Sequence, residues 1–428
     1  MRLFRIDSHF KIYRIALFGY FDLRFMLRAA ALDAPGKRTR AGRTVVLWFA
    51  ASLFLASPTV PTGSAATPAA LYRLPAGPAE ARRFGAFYTR LRYDPAWESA
   101  WRVGDYPDVL VTFDKLPVRF VFWRGTSMIP CWVSETGVWY RSEFVERSGG
   151  GTQGCAEPMS DKQCRFSSAR ILENTPAHVV VHWRYSPVDV NYTQPWVNQA
   201  TGWGDWVDEY YALYPDGIGV REITLHSTAL NEWAEFFESI VINQPGTYPK
   251  ASIEPGAVTL ANLAGDASTW RWTEKGSPEQ PATPPRACIH RINLKAQYKP
   301  FVLFPEGVTF EPYGGHEPGR LFHFWNHWPV AQEKSWTTEA TSADKPSHTS
   351  FSHVGNWPAL KQSEGRVTRI MLHGMSDQPM DELVKVARSW LKPPACAAAG
   401  GGGACRLIQP SALMSLRGPS LIIMPGSS

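Results

Sequence analysis

The chain has 428 residues, with 44 Lys and Arg against 38 Asp and Glu, for a formal charge of +6. It is long enough to bury one large β domain or two ordinary ones. Ten of the basic and three of the acidic residues lie in residues 1–65, a balance of +7, so the remainder stands at −1. Composition therefore makes no electrostatic case for nucleic acid or an anionic membrane as partner.

The first element in chain order is a leader, residues 1–65. Its twelve-residue apolar run Val45–Ala56 follows Lys37, Arg38, Arg40 and Arg43 and precedes Gly63-Ser64-Ala65. This charged, apolar, small-residue order is that of a secretory signal peptide, and the run is short for a bilayer span. A signal opening at Met26 would have a more ordinary length. The expected location is secreted, periplasmic or cell-surface, with no stable membrane insertion after cleavage. Residues 66–92 read as a linker.

From Tyr93 the chain reads as strand, turn, strand, in keeping with 18 Trp and 15 Tyr beside 35 Pro and 34 Gly. Strands are predicted at Val109–Phe113, Val118–Trp123 and Val179–Tyr185. A hairpin is predicted from Asp208–Tyr214 to Gly219–His226 through Pro215-Asp216-Gly217, where a preset φ meets a permissive one. Later strands are expected at Ala287–Leu294, Pro300–Phe304 and Thr368–Leu372. The one convincing helix is Met380–Leu391, with Leu383, Val384, Val386, Ala387, Trp390 and Leu391 on a broad apolar face, expected to pack on a sheet edge. Residues 395–428 are a low-complexity tail. The predicted fold is all-β: a large antiparallel β-sandwich of jelly-roll or super-sandwich type over residues 93–394, with one C-terminal helix.

Six cysteines suit an oxidising compartment. Cys155 and Cys164 are spaced to close a small ring, and Cys131 and Cys288 are either a pair or buried thiols. No spacing matches a zinc finger or redox dithiol, so neither metal nor cofactor is expected.

The densest chemistry is His323-Phe324-Trp325-Asn326-His327-Trp328-Pro329. In an extended chain His323, Trp325 and His327 share one face and Phe324, Asn326 and Trp328 the other. Each face mixes an apolar platform with hydrogen-bonding groups, which suits a sugar; core packing and a structural metal pair are the competing readings. Arg124, at the end of a strand in Phe122-Trp123-Arg124-Gly125-Thr126-Ser127, offers a planar fork for a carboxylate or sulfate ester, or for a structural ion pair. His182 and Arg184 share a strand face, as do Tyr211 and Leu213, with Tyr210 of uncertain direction. His348 lies in a Ser/Thr-rich stretch.

Elimination next to a uronate carboxylate needs that carboxylate neutralised, a base such as His or Tyr, and an acid such as Tyr for the leaving oxygen. Hydrolysis would instead need two carboxylates, for which Glu143, Glu157, Asp161, Asp205, Asp208 and Glu209 are available without a spacing that marks a pair. No Gly-x-Ser-x-Gly elbow, phosphate loop or dinucleotide fingerprint occurs.

Together with the leader and the Trp-rich strands, three motifs carry a resemblance. They are Phe122-Trp123-Arg124-Gly125-Thr126-Ser127, Ala156-Glu157-Pro158-Met159-Ser160-Asp161-Lys162-Gln163-Cys164 and Asn326-His327-Trp328-Pro329-Val330-Ala331-Gln332. Over about Tyr93 to Leu391 the chain resembles secreted bacterial β-sandwich proteins found beside polysaccharide-degrading enzymes, in the neighbourhood of ulvan lyases and related uronate-eliminating enzymes. The resemblance carries no catalytic residue across.

The expected function is thus a secreted lyase cleaving an acidic polysaccharide or oligosaccharide by β-elimination; the alternative is a non-catalytic glycan-binding module. In the lyase reading His327 or His182 takes the proton and Tyr210 or Tyr211 serves the leaving oxygen. Arg124 or Asn326 neutralises the carboxylate, and Arg184, His323, Trp325, Trp328 and His348 complete the substrate contacts.

Overall fold

Strands rich in β-branched and aromatic residues build two antiparallel sheets that share one core. The computed structural model describes residues 83–91, 106–142, 144–273, 278, 282–313, 331–332 and 346–391. The leader, the tail from 395 and the predicted site residues His323, Trp325, Asn326, His327 and Trp328 lie outside the described residues.

Among the described residues the first sheet runs Gly85–Thr89, Asp108–Thr112, Arg119–Phe122, Pro130–Val133, Trp139–Ser142, Glu238–Asn243, Ser347–Gly355, Thr309–Pro312, with Ala331–Gln332 parallel to the start of Ser347–Gly355. The second runs Ala267–Trp270, Ile253–Ala261, Ile289–Leu294, Lys299–Leu303, Arg366–Ser376, Ile218–His226, Trp206–Leu213, Val179–Tyr185, Ser167–Asn174, with Lys361–Ser363 on Arg366–Ser376. A small third sheet joins Ala234–Glu235, Glu146–Ser148 and Cys155–Ala156. This is the all-β sandwich that the strand-and-turn composition predicts.

The linker reading of residues 66–92 needs correction. Gly85–Thr89 pairs in register with Asp108–Thr112 and is the edge strand of the first sheet. Asn174, on the edge of the second sheet, donates to the Ala86 carbonyl at 2.8 Å and accepts from the Ala86 N–H at 3.1 Å. One side chain thus ties two sheet edges, each of which would otherwise offer unpaired backbone groups.

Between the sheets, alternate residues interdigitate: Phe120 and Trp132 from the first sheet meet Tyr211 and His373 from the second. The Trp132 indole donates to His373 Nδ1 at 2.9 Å. Glu209 and Arg221 face the same layer, both with fully buried side chains, in a two-pronged ion pair at 2.6 and 2.8 Å. Tyr185 and Tyr211 donate to the same carboxylate at 2.8 and 2.6 Å, so its lone pairs are well occupied.

The hairpin between Trp206–Leu213 and Ile218–His226 turns where predicted, with Gly217 at φ +80°. The helix Met380–Leu391 forms over its predicted span, but it lies on the outer face of the second sheet rather than on an edge. Leu383, Val384 and Ala387 are buried against a cluster that includes Ile289, Phe301, Leu303 and Leu372. The ring between Cys155 and Cys164 is not formed: the Cys164 thiol points to the Arg124 carbonyl at 3.4 Å. Cys131 and Cys288 are buried thiols in separate clusters.

Candidate functional site

The small third sheet places two carboxylates where sheet energetics disfavours them. Glu146 and Glu235 stand directly opposite in its register, an arrangement that costs stability between like charges. Glu238 begins the strand that follows Glu235, and Glu157 is the extended residue after Cys155–Ala156, bridged to Val188. Glu157 and Glu238 are 2% and 7% exposed, and each has one carboxyl oxygen, Oε1, with no hydrogen-bond partner among the described residues. Buried polar atoms left in this state mark either a cost or a waiting ligand.

The cations near these carboxyls are Arg141 and His353. Arg141 is fully buried on Trp139–Ser142, with Nη2 at 2.8 Å from the Met159 sulfur and its guanidinium 5.2 Å from the Phe144 ring centre. His353, on Ser347–Gly355, has Nδ1 at 3.1 Å from Glu235 Oε1 and a side chain 35% exposed. The carboxylate fixes the ring, leaving Nε2 for a substrate. Tyr313 lies alongside, with its ring centre 5.7 Å from that of His353.

Protons follow from this crowding. Burial first, then the charges of Glu235 and Glu146, push Glu238 up to about 8. Burial and the neighbouring Glu146, which shares a hydrogen bond with it, hold Glu157 well above the carboxylate range. Burial also raises Glu235, partly offset by His353. The hydrogen bond that the His353 ring donates to Glu235 raises His353 against the effect of its own burial. At neutral pH the cluster therefore holds Glu157 and Glu238 as neutral carboxyls that can donate a hydrogen bond, beside an oriented imidazole.

The residues predicted from sequence are distributed as follows. His348 is buried on Ser347–Gly355, level with Ile242 and, across that strand, Trp139, on the face that carries Arg141. Arg124 is not an outward anion grip: its guanidinium is 2.9 Å from Asp108, whose carboxylate also accepts the Arg124 and Leu91 N–H groups. Tyr211 points into the core and donates to Glu209, so it cannot protonate a leaving group at the surface. His182, Arg184 and Tyr210 do come together, on the outer face of the second sheet. There His182 Nε2 is 2.8 Å from Asp208 Oδ1, its ring stacks on Tyr210 at 4.6 Å, and Arg184 and His226 close on Asp208 at 2.8 and 2.9 Å. Burial pushes Asp208 up, but hydrogen bonds from His182 and His226 and the charge of Arg184 outweigh it and hold the carboxyl well below its ordinary range.

Sequence reasoning named Glu157, for hydrolysis, and passed over Glu146, Glu235, Glu238, Arg141 and Tyr313. The available signal was Glu235-Phe236-Phe237-Glu238, two acids bracketing a core-forming Phe pair. Among the described residues no cluster of three or more His, Cys, Asp or Glu is arranged to hold a metal ion, and no helix is long and apolar enough to cross a membrane.

No family model and no curated protein matches the chain. Among solved structures it is similar to galactose 1-epimerase from Lactobacillus acidophilus NCFM, with 8% identity, 69% of this chain and 99% of that chain covered, and a TM-score of 0.29. A superposition of that quality assigns neither a reaction nor a site to this chain.

Proposed function

We propose that the chain is a carbohydrate-active lyase that cleaves a uronate-containing glycan by β-elimination at the Glu157–Glu238–His353 cluster. The observation that carries this reading is an imidazole oriented by Glu235 beside carboxyls that keep their protons. Neutral Glu238 and Glu157, the latter within the field of Arg141, bind the substrate carboxylate and stabilise the charge that develops on it. His353 Nε2 takes the proton from the carbon bearing that carboxylate. The Tyr313 phenol gives its proton to the leaving glycosidic oxygen as the carbon–oxygen bond breaks and a carbon–carbon double bond forms. The proton held by His353 returns to Tyr313 through solvent.

Hydrolysis fits less well. Glu146 and Glu157 share a hydrogen bond, closer than the roughly 5–9 Å between carboxyls that either glycosidase geometry needs. The test is ultraviolet absorbance of the conjugated unsaturated product with a panel of uronate polysaccharides. His353→Ala is expected to lower the rate by about 10²–10⁴-fold, the usual worth of a positioned general base. Glu238→Gln, which stays neutral and keeps a donor, is expected to retain activity at neutral pH. Unchanged rates in His353→Ala, or no unsaturated product from the panel while glycan binding persists, would replace the lyase by the non-catalytic binding module.

A further inference from the structure

The outer face of the second sheet divides in two. The C-terminal helix covers it over Ile289–Leu294 and Lys299–Leu303. Across the other half, from Ser167–Asn174 to Lys361–Ser363, no described element packs on it. Six strands lie side by side there, and at about 4.8 Å per strand the face is roughly 24 Å wide, room for several sugar rings.

Strand register decides what this face presents. Trp206, His226 and Arg366 form one row across three strands. Arg184, Asp208, Thr224, Thr368 and Lys361 form the next. Arg170, His182, Tyr210 and Glu222 form a third. Arg170, Lys361 and Arg366 are exposed, and the Arg184 side chain is 37% exposed. The acids among them are Asp208 and Glu222, with Glu364 in the turn at the rim. Asp208 is already engaged by Arg184, His182 and His226. A groove of about 100 Å³ runs along Tyr210, Thr224, His226, Lys361 and Arg366.

At one end the aromatic surface is uncovered. Trp203 is 58% exposed, its ring centre 5.8 Å from Trp206, and the Arg184 guanidinium sits 4.8 Å from the Trp206 ring centre. An exposed indole is a platform for the apolar face of a sugar, and arginines in a planar fork match carboxylates and sulfate esters. Hydroxyls from Thr224 and Thr368 lie between, 2.9 Å apart.

We infer that this face is a second, non-catalytic binding surface for an anionic oligosaccharide, with Trp203 and Trp206 as its stacking end and Lys361 and Arg366 as its charge-reading end. It stands apart from the carboxyl cluster and holds whether or not that cluster catalyses. Binding there would keep a polymeric glycan on the protein between reaction events, raising its effective concentration at a second site.

The test titrates the purified full chain by calorimetry with three probes: an oligogalacturonate, a sulfated dextran oligosaccharide free of carboxylates, and neutral dextran. Binding of an anionic probe that becomes at least tenfold weaker in the Lys361→Glu/Arg366→Glu variant and in Trp203→Ala is the expected result. Preference for the first anionic probe identifies a uronate, and for the second a sulfate ester. Neutral dextran bound as tightly, no anionic probe bound, or affinity unchanged by charge reversal would overturn the inference. Thermal midpoints equal to wild type confirm that these exposed substitutions leave the fold intact.

Discussion

At the scale of single residues, the buried carboxyls decide how the protein responds to pH. Glu238 sits at about 8 in the folded chain against an ordinary value near 4.5, so the folded state holds a proton that the unfolded state releases between those values. Its contribution to stability is complete below about 4.5 and is lost as pH rises through 8. Asp208, held below its ordinary range, works in the opposite sense: its contribution is present above about 3.8 and is lost as pH falls below that. Glu238→Gln is expected to flatten the decline in urea midpoint between pH 5 and 9. The same variant should remove any fall in elimination rate near pH 8. A decline as steep as wild type would place the proton elsewhere. Arg221 offers a second residue-scale test. Its loss in Arg221→Met leaves the Glu209 carboxylate buried without its cation, at an expected cost of about 3–5 kcal/mol by urea unfolding. Glu209→Leu in the same chain is expected to recover much of that loss.

Elements show what pattern can and cannot deliver. Val179–Tyr185 was legible because β-branched and aromatic residues run through it, and Met380–Leu391 because a period of 3.6 residues does. Alternation could not say which of Tyr210 and Tyr211 faces out, since both flanks of Trp206–Leu213 carry polar groups. The inward flank hides Glu209 with Arg221 inside the sandwich, a pairing made by register across strands and invisible along the chain. The carboxyl cluster was unreadable for a related reason: Glu146 and Glu235 meet only because strands far apart in the chain pair. Arg124 misled because an arginine beside an aromatic looks the same whether it awaits an anion or already has Asp108. The hairpin turn is where local sequence is most binding. Gly217 has φ +80°, and a Cβ there would lie 2.6 Å from Leu116 Cδ1. Gly217→Ala is expected to cost about 1–2 kcal/mol from the left-handed backbone alone, measured as a lower midpoint in thermal unfolding, with an added steric share unless Leu116 moves aside.

For the whole molecule, sequence separation sets an order of assembly. The hairpin of Trp206–Leu213 with Ile218–His226 closes over a few residues, so it can form early. Trp132 and His373, whose bond joins the two sheets, are 241 residues apart, and closure over such distances is slow. His353 and Glu235 are separated by 118 residues and need Ser347–Gly355 to dock on Glu238–Asn243 first. The geometry of the proposed site is therefore expected to form late. After dilution from urea, Trp fluorescence is expected to recover ahead of elimination activity, with the lag measurable by stopped-flow and timed assay. Coincident recovery would mean that the sheets and the His353–Glu235 contact form in one step. A delayed site also gives the sandwich a clock: a chain interrupted before Ser347–Gly355 docks has the hairpin of its second sheet but not the contact of His353 with Glu235.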